Sequence, residues 1–171
     1  MQADVVNRRL VKFIWAAAIF FAWTLIQGAI EGAVPSVHAL TQAGPGGLIT
    51  SAHTHVGLLG WMSLSLMAAI YYVMPILSGK TIVWPRLIDW IFWIAVISGV
   101  AASILMIIGG VVGGSAFAAG VKGPQLEALV AAYAMPGGIM CTITAIAGLM
   151  FVVQILTSLA RGSKAAVTSS A

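Results

Sequence analysis

The sequence predicts an all-α fold: an integral membrane four-helix bundle with both termini cytoplasmic. Three observations lead there. Of the 171 residues, 61% are hydrophobic and 7% charged. A soluble domain carries roughly 25% charged residues, so no water-facing surface can be built from this inventory. The apolar residues gather into four stretches, each at least the ~20 residues that a membrane-crossing helix needs. The connections between them carry basic residues unevenly, which sets a direction.

The first span runs from about Leu10 to Ala33. It follows the basic segment "MQADVVNRRLVKF" and is too long for a signal-peptide core. No small-residue cleavage site follows at the expected place, so a retained anchor is expected. The second span, about Leu48 to Met74, starts after the turn-forming "QAGPGG". "PILSGKTIVWP" ends it and leads to the third, about Ile88 to Val112. "GGSAFAAGVKGP" leads to the fourth, about Leu126 to Leu159. This last stretch exceeds one crossing, and it is expected to tilt, kink near Pro136, or protrude. Residues 1–160 are thus one four-span domain (10–33, 48–74, 88–112, 126–159). Residues 161–171, "RGSKAAVTSSA", read as a disordered cytoplasmic tail. There is no internal repeat and no soluble domain.

Arg8, Arg9 and Lys12 precede the first span, Lys80 and Arg86 lie in the second connection, and Arg161 and Lys164 follow the fourth. Lys122 alone lies on the other side. Both termini are therefore expected in the cytoplasm, with the connection Glu31 to Ile49 outside. The net charge of +4 follows this topology, so the partner it indicates is membrane lipid and not nucleic acid. Trp15, Trp84, Trp90 and Tyr133 fall near span ends, as interfacial anchors do. The single cysteine, Cys141, excludes an intrachain disulfide and reads as a small packing residue.

The chemistry concentrates in "ITSAHTHVGLLGW", Ile49 to Trp61. Two histidines, His53 and His55, stand one residue apart at the start of a span. An unpaired buried imidazole costs about 1–3 kcal/mol, so both need partners. On a helix, residues i and i+2 point to nearly opposite sides, so the pair cannot chelate one metal ion as neighbouring ligands. That excludes an HExxH-type zinc site. Each histidine can instead serve its own site, and imidazole is a common axial ligand of heme iron. Gly57 and Gly60 continue the His53 face, leaving a strip against which a flat macrocycle or a close-packed helix can lie. Leu58, Leu59 and Met62 continue the His55 face. The alternative, imidazoles bonded to carbonyls or water at the interface, stays open on local physics alone.

Here the sequence is similar to a known family. "LITSAHTHVGLLGWMSLSLMAAIYYVMP" resembles the tenth transmembrane helix of heme-copper oxidase subunit I, above all in the nitric oxide reductase branch. "IQGAIEGAVPSVHAL" resembles the end of the preceding helix with its loop, and "YAMPGGIMCTITAIAGLMFVVQIL" resembles the last core helix. The chain as a whole resembles helices nine to twelve of that subunit. The family's helix direction places the H-x-H near the outer end of its span, as the basic residues do here. The resemblance implies heme b as cofactor, His53 as the counterpart of the proximal ligand to a high-spin heme, and His55 as one ligand of a low-spin heme. It implies a multi-pass protein of the bacterial inner (cytoplasmic) membrane.

The family's second-metal histidines have no counterparts here, and the third histidine, His38, lies in the outer connection. An autonomous oxidase or nitric oxide reductase is therefore not expected. The expected role is electron transfer or diatomic gas binding by a heme protein, as a homodimer or within a larger membrane redox complex, exchanging electrons with a carrier on the outer side. A heme-free structural or assembly subunit is the competing reading. Because His53 and His55 face apart, a sixth heme ligand has to be His38, Met135, solvent or a histidine of another polypeptide. Glu31 could orient a histidine, carry a proton, join a water network at a heme propionate, or be a plain interfacial carboxylate. Gln27 and Gln154 are expected to form interhelical hydrogen bonds. Gly99, Gly109, Gly110, Gly137, Gly138 and Gly148 are expected to let helices approach closely.

Overall fold

The computed structural model describes residues 2–163. Lys164 and the rest of the expected tail lie outside the described residues. Helix α1 covers Gln2–Ala33 and α2 covers Pro35–Thr41, followed by a 3-10 turn over Gly44–Gly46. The second span is α3, Gly47–His55, then a π-helical segment, Val56–Met62, then α4, Ser63–Ser78. Helices α5, Leu87–Ala118, and α6, Pro124–Arg161, complete the chain. Four segments are long and apolar enough to cross a membrane: Val6–Ala33, Gly44–Ser78, Leu87–Ala118 and Pro124–Arg161. The protein is a multi-pass helical membrane protein.

Each span begins or stops where backbone chemistry dictates. Proline opens α2 and α6, where the first helical residue has no acceptor for its N–H in any case. Gly79 ends α4 in the left-handed region, φ 63°, with its N–H bonded to the Pro75 carbonyl at 2.9 Å. Helix α6 continues unbroken through Pro136.

Between helices in lipid there is little hydrophobic drive, so packing and interhelical hydrogen bonds hold the array together. At the basic end, Phe13, Tyr71 and Phe92 are buried, with Phe151 edge-on to Tyr71 at 5.0 Å. This cluster joins α1, α4, α5 and α6. The Tyr71 hydroxyl donates to Gln154 Oε1 at 2.7 Å, and Gln154 Nε2 donates to the carbonyls of Val83 and Trp84 at 2.8 and 2.9 Å. One fully buried amide thus ties α4 and the connection after it to α6. It also holds Trp84 in the left-handed region, φ 50°. Arg9 and Lys12 of α1 both pair with Asp89 of α5, and Lys12 stands 4.8 Å from the Phe92 ring centroid.

At the opposite end the connection after α1 folds over α5. A Cβ on Gly113 would meet Pro45 at 2.8 Å, and one on Gly114 would meet Gly46 Cα at 3.1 Å. Gly109 and Gly110 likewise admit Tyr133 and Ile49. The expectation of close packing fails at Gly99, Gly138 and Gly148, where a Cβ would meet nothing within 4 Å. Gly99 lines a narrow interior cavity, Gly138 is exposed and Gly148 half-buried, so each leaves room for a side chain.

Candidate functional site

The two histidines end α3, and the backbone changes from α to π immediately after His55. His53 points at α1. Its ring lies over Gly28, where an added Cβ would stand 2.8 Å from Cε1. Below it, a Cβ on Gly57 would meet Thr24 at 3.4 Å, and one on Gly60 would meet the Phe20 ring at 2.5 Å. Positions 53, 57 and 60 of the second span therefore lie antiparallel against positions 28, 24 and 20 of α1. Of the two occupants the glycine strip allows, α1 fills it. The His53 Nδ1 atom is enclosed and bonds to nothing among the described residues.

His55 takes the other side. Its Nδ1 lies 2.7 Å from the Ser51 carbonyl. A carbonyl only accepts, so Nδ1 carries a proton, and in the neutral imidazole Nε2 keeps its lone pair. A carbonyl bonded to one ring nitrogen, fixing tautomer and orientation while the other stays free to donate to a metal, is the usual support of an imidazole ligand. His55 lines a narrow interior cavity of about 10 Å³, with Leu59, Ser103, Cys141 and Thr144 among the other walls. That is room for about one water molecule. Thr144 and Ser98 hydroxyls stand 2.7 Å apart beside it.

A hydrogen-bonded ladder fixes the register between α1 and α3. Trp23 Nε1 donates to Gln27 Oε1 at 2.9 Å, and Gln27 Nε2 donates to Glu31 Oε1 at 2.8 Å and to the Ile49 carbonyl at 3.0 Å. Thr50 Oγ1 donates to Glu31 Oε2 at 3.1 Å. Gln27 is thus an interhelical bonding residue, and so is Gln154. Glu31 grips the α3 turn one residue triplet ahead of His53 and touches neither histidine. His38 is exposed on α2, and Met135 is 68% exposed on α6. Among the described residues neither shares a hydrogen bond with His53 or His55, and neither lines the cavity at His55.

The family described as "Cytochrome C and Quinol oxidase polypeptide I" matches residues 6–147. The chain belongs to this family. A cytochrome c oxidase subunit 1 homolog of Agrobacterium tumefaciens (strain T37) is 28% identical over 103 residues, 60% of this chain. The match covers 18% of that relative's length, so the chain spans less than a fifth of it. Heme, the cofactor that the sequence resemblance implies, asks for a free imidazole nitrogen and space beside it. The donor atoms fit: His55 presents the ligand tautomer, and His53 has a sealed, unpartnered nitrogen. The interior space does not, because α1 closes the His53 side and about 10 Å³ remains on the His55 side.

Sequence reasoning missed Gly28, Thr24 and Ser51. Thr24 and Gly28 form a small-xxx-small pair, a sequence signal for close helix approach. Ser51 acts through its carbonyl, which every residue has, and no sequence signal exists for it.

Proposed function

We propose that this chain is a heme b-binding membrane subunit of the oxidase polypeptide I type, acting in electron transfer or diatomic gas binding beside another polypeptide. The observation that carries the reading is the Nδ1 contact of His55 with the Ser51 carbonyl, 2.7 Å, which leaves Nε2 as a donor. His55 is the residue that would hold the iron, with His53 as a second donor on the opposite side. Heme bound there would supply a one-electron carrier or a gas-binding iron. The residues of the chain do the rest: Ser51 fixes the ring, the Gln27–Glu31 ladder fixes the helix that carries it, and the apolar spans exclude water. The four spans enclose no space of heme size beside either histidine among the described residues, and this reading places the cofactor against a second polypeptide, either another copy or a larger redox subunit. The membrane is the bacterial inner membrane, with the basic end of the array in the cytoplasm and the histidines near the outer face, toward an external electron carrier.

A second reading, a heme-free subunit that stabilises a membrane complex, is favoured by the packing of α1 into the glycine strip. The visible spectrum of detergent-purified protein, oxidised and reduced, separates the two. Sharp reduced α and β bands are expected for a low-spin cytochrome, and a broad band that shifts with CO for an open gas site. A protein purified intact with its native partners and without a Soret band would overturn the heme reading.

A further inference from the structure

On the membrane face between α4 and α6 lies an open groove of about 540 Å³, walled by Val73, Leu77, Ile155 and Leu159 and running from Ala69 to Ser78. At 1.5 Å rise per residue this is about 14 Å long. One leaflet of the hydrocarbon core is about 15 Å deep, half of ~30 Å. A partner helix crossing the membrane would want a face about twice that length. The groove ends at the basic rim. Lys80 reaches across its end, its Nζ donating to the Leu159 carbonyl. Arg161 is the last residue of α6 at the same end, and Thr81 N–H donates to the Ser163 carbonyl at 2.9 Å, which holds the two segments together. No carboxylate pairs with Lys80 or Arg161 among the described residues.

We propose that this groove is a binding site for one anionic phospholipid, an acyl chain lying along Val73 and Leu77 and the phosphate meeting Lys80 and Arg161. Length selects a lipid chain over a helix, and the unpaired cations select a negative headgroup over a zwitterionic one. The site depends only on α4, α6 and the basic connection, and it stands whether or not heme is bound. Lipid in this position would wedge the gap that the Tyr71–Gln154 bond leaves open toward the basic end, so the site also stabilises the array.

The test uses the full chain in nanodiscs of phosphatidylglycerol and phosphatidylcholine with identical acyl chains, released for native mass spectrometry. Wild type is expected to retain one phosphatidylglycerol per chain in preference to phosphatidylcholine. Lys80→Gln and Arg161→Gln should each lower that preference about fivefold, the weight of one cation at an anionic surface. Leu77→Trp, which fills the groove without changing charge, should lower retention of both lipids. Equal retention of the two lipids by wild type would overturn the proposal, as would an unchanged preference in both Gln variants. A photo-crosslinker at Leu77 that captures a protein chain instead of lipid would assign the groove to a partner helix.

Discussion

The imidazole of His53 and the backbone of Gly28 are in direct contact, with space for a hydrogen and no more: a Cβ at position 28 would stand 2.8 Å from Cε1. The position of α1 and the orientation of His53 are therefore one structural variable. Gly28→Ala should destabilise the protein by about 1–3 kcal/mol, the usual cost of overpacking. Removing the ring by His53→Ala should relieve most of that cost, so the double variant should be clearly less destabilised than the sum of the two singles. Thermal unfolding of the four proteins in one detergent checks it. Additive effects would show that the contact does not couple the helices.

The histidines should be separable. His55→Ala should remove the low-spin heme component, because its Nε2 is the donor that the Ser51 carbonyl leaves free. His53→Ala should alter a different spectral component or none. Unchanged heme content in both single variants and in the double would remove this pair from any cofactor site.

Gln27→Leu deletes the amide that links Trp23, Glu31 and the Ile49 carbonyl. Hydrogen bonds between membrane helices average about 0.6 kcal/mol and reach ~1.7. With one interhelical and two intrahelical bonds lost together, a loss near the upper figure is expected. Unfolding by a denaturing detergent titration measures it. A variant as stable as wild type would mean that glycine packing alone sets the α1–α3 register.

The four spans and their order were legible in the sequence because a run of ~20 apolar residues has few other uses. The H-x-H and the glycine strip were conspicuous because polar and small residues stand out in an apolar segment. Which occupant fills the strip was not legible, since a macrocycle and a helix ask for the same absence of side chains. The connection from Glu31 to Ile49 reads as an outer loop. In the structure Pro35 opens α2 and Pro45 packs beside Gly113, because those glycines remove the side chains that would keep the segment off α5. The second span reads as one continuous α-helix. Its π segment leaves no mark in composition, since i→i+5 bonding has no residue signature comparable to a cap.

Topology gives a direct check on the proposed direction. A reporter fused after Ala171 should be active only in the cytoplasm, and a tag inserted near Gln42 should be reachable from outside. An external C-terminus would invert the array and place both histidines at the inner face.

Stoichiometry tests the shared cofactor. Particle mass and heme-to-protein ratio, measured on the same detergent-solubilised sample, should show heme only in particles with at least two polypeptides. A monodisperse, partner-free monomer with a bis-histidine spectrum that survives His38→Ala would defeat the interface reading.

The π segment over Val56–Met62 divides the second span into two angular frames. Its lower half is keyed to α6 by Tyr71, and its upper half is keyed to α1 by His53 and Thr50. The seven residues between carry the change of phase, with Gly57 and Gly60 among them seated against Thr24 and Phe20. Deleting one residue there, Leu58 for example, would restore α geometry and turn one frame against the other. The chain could then satisfy the tyrosine key or the glycine key, and not both.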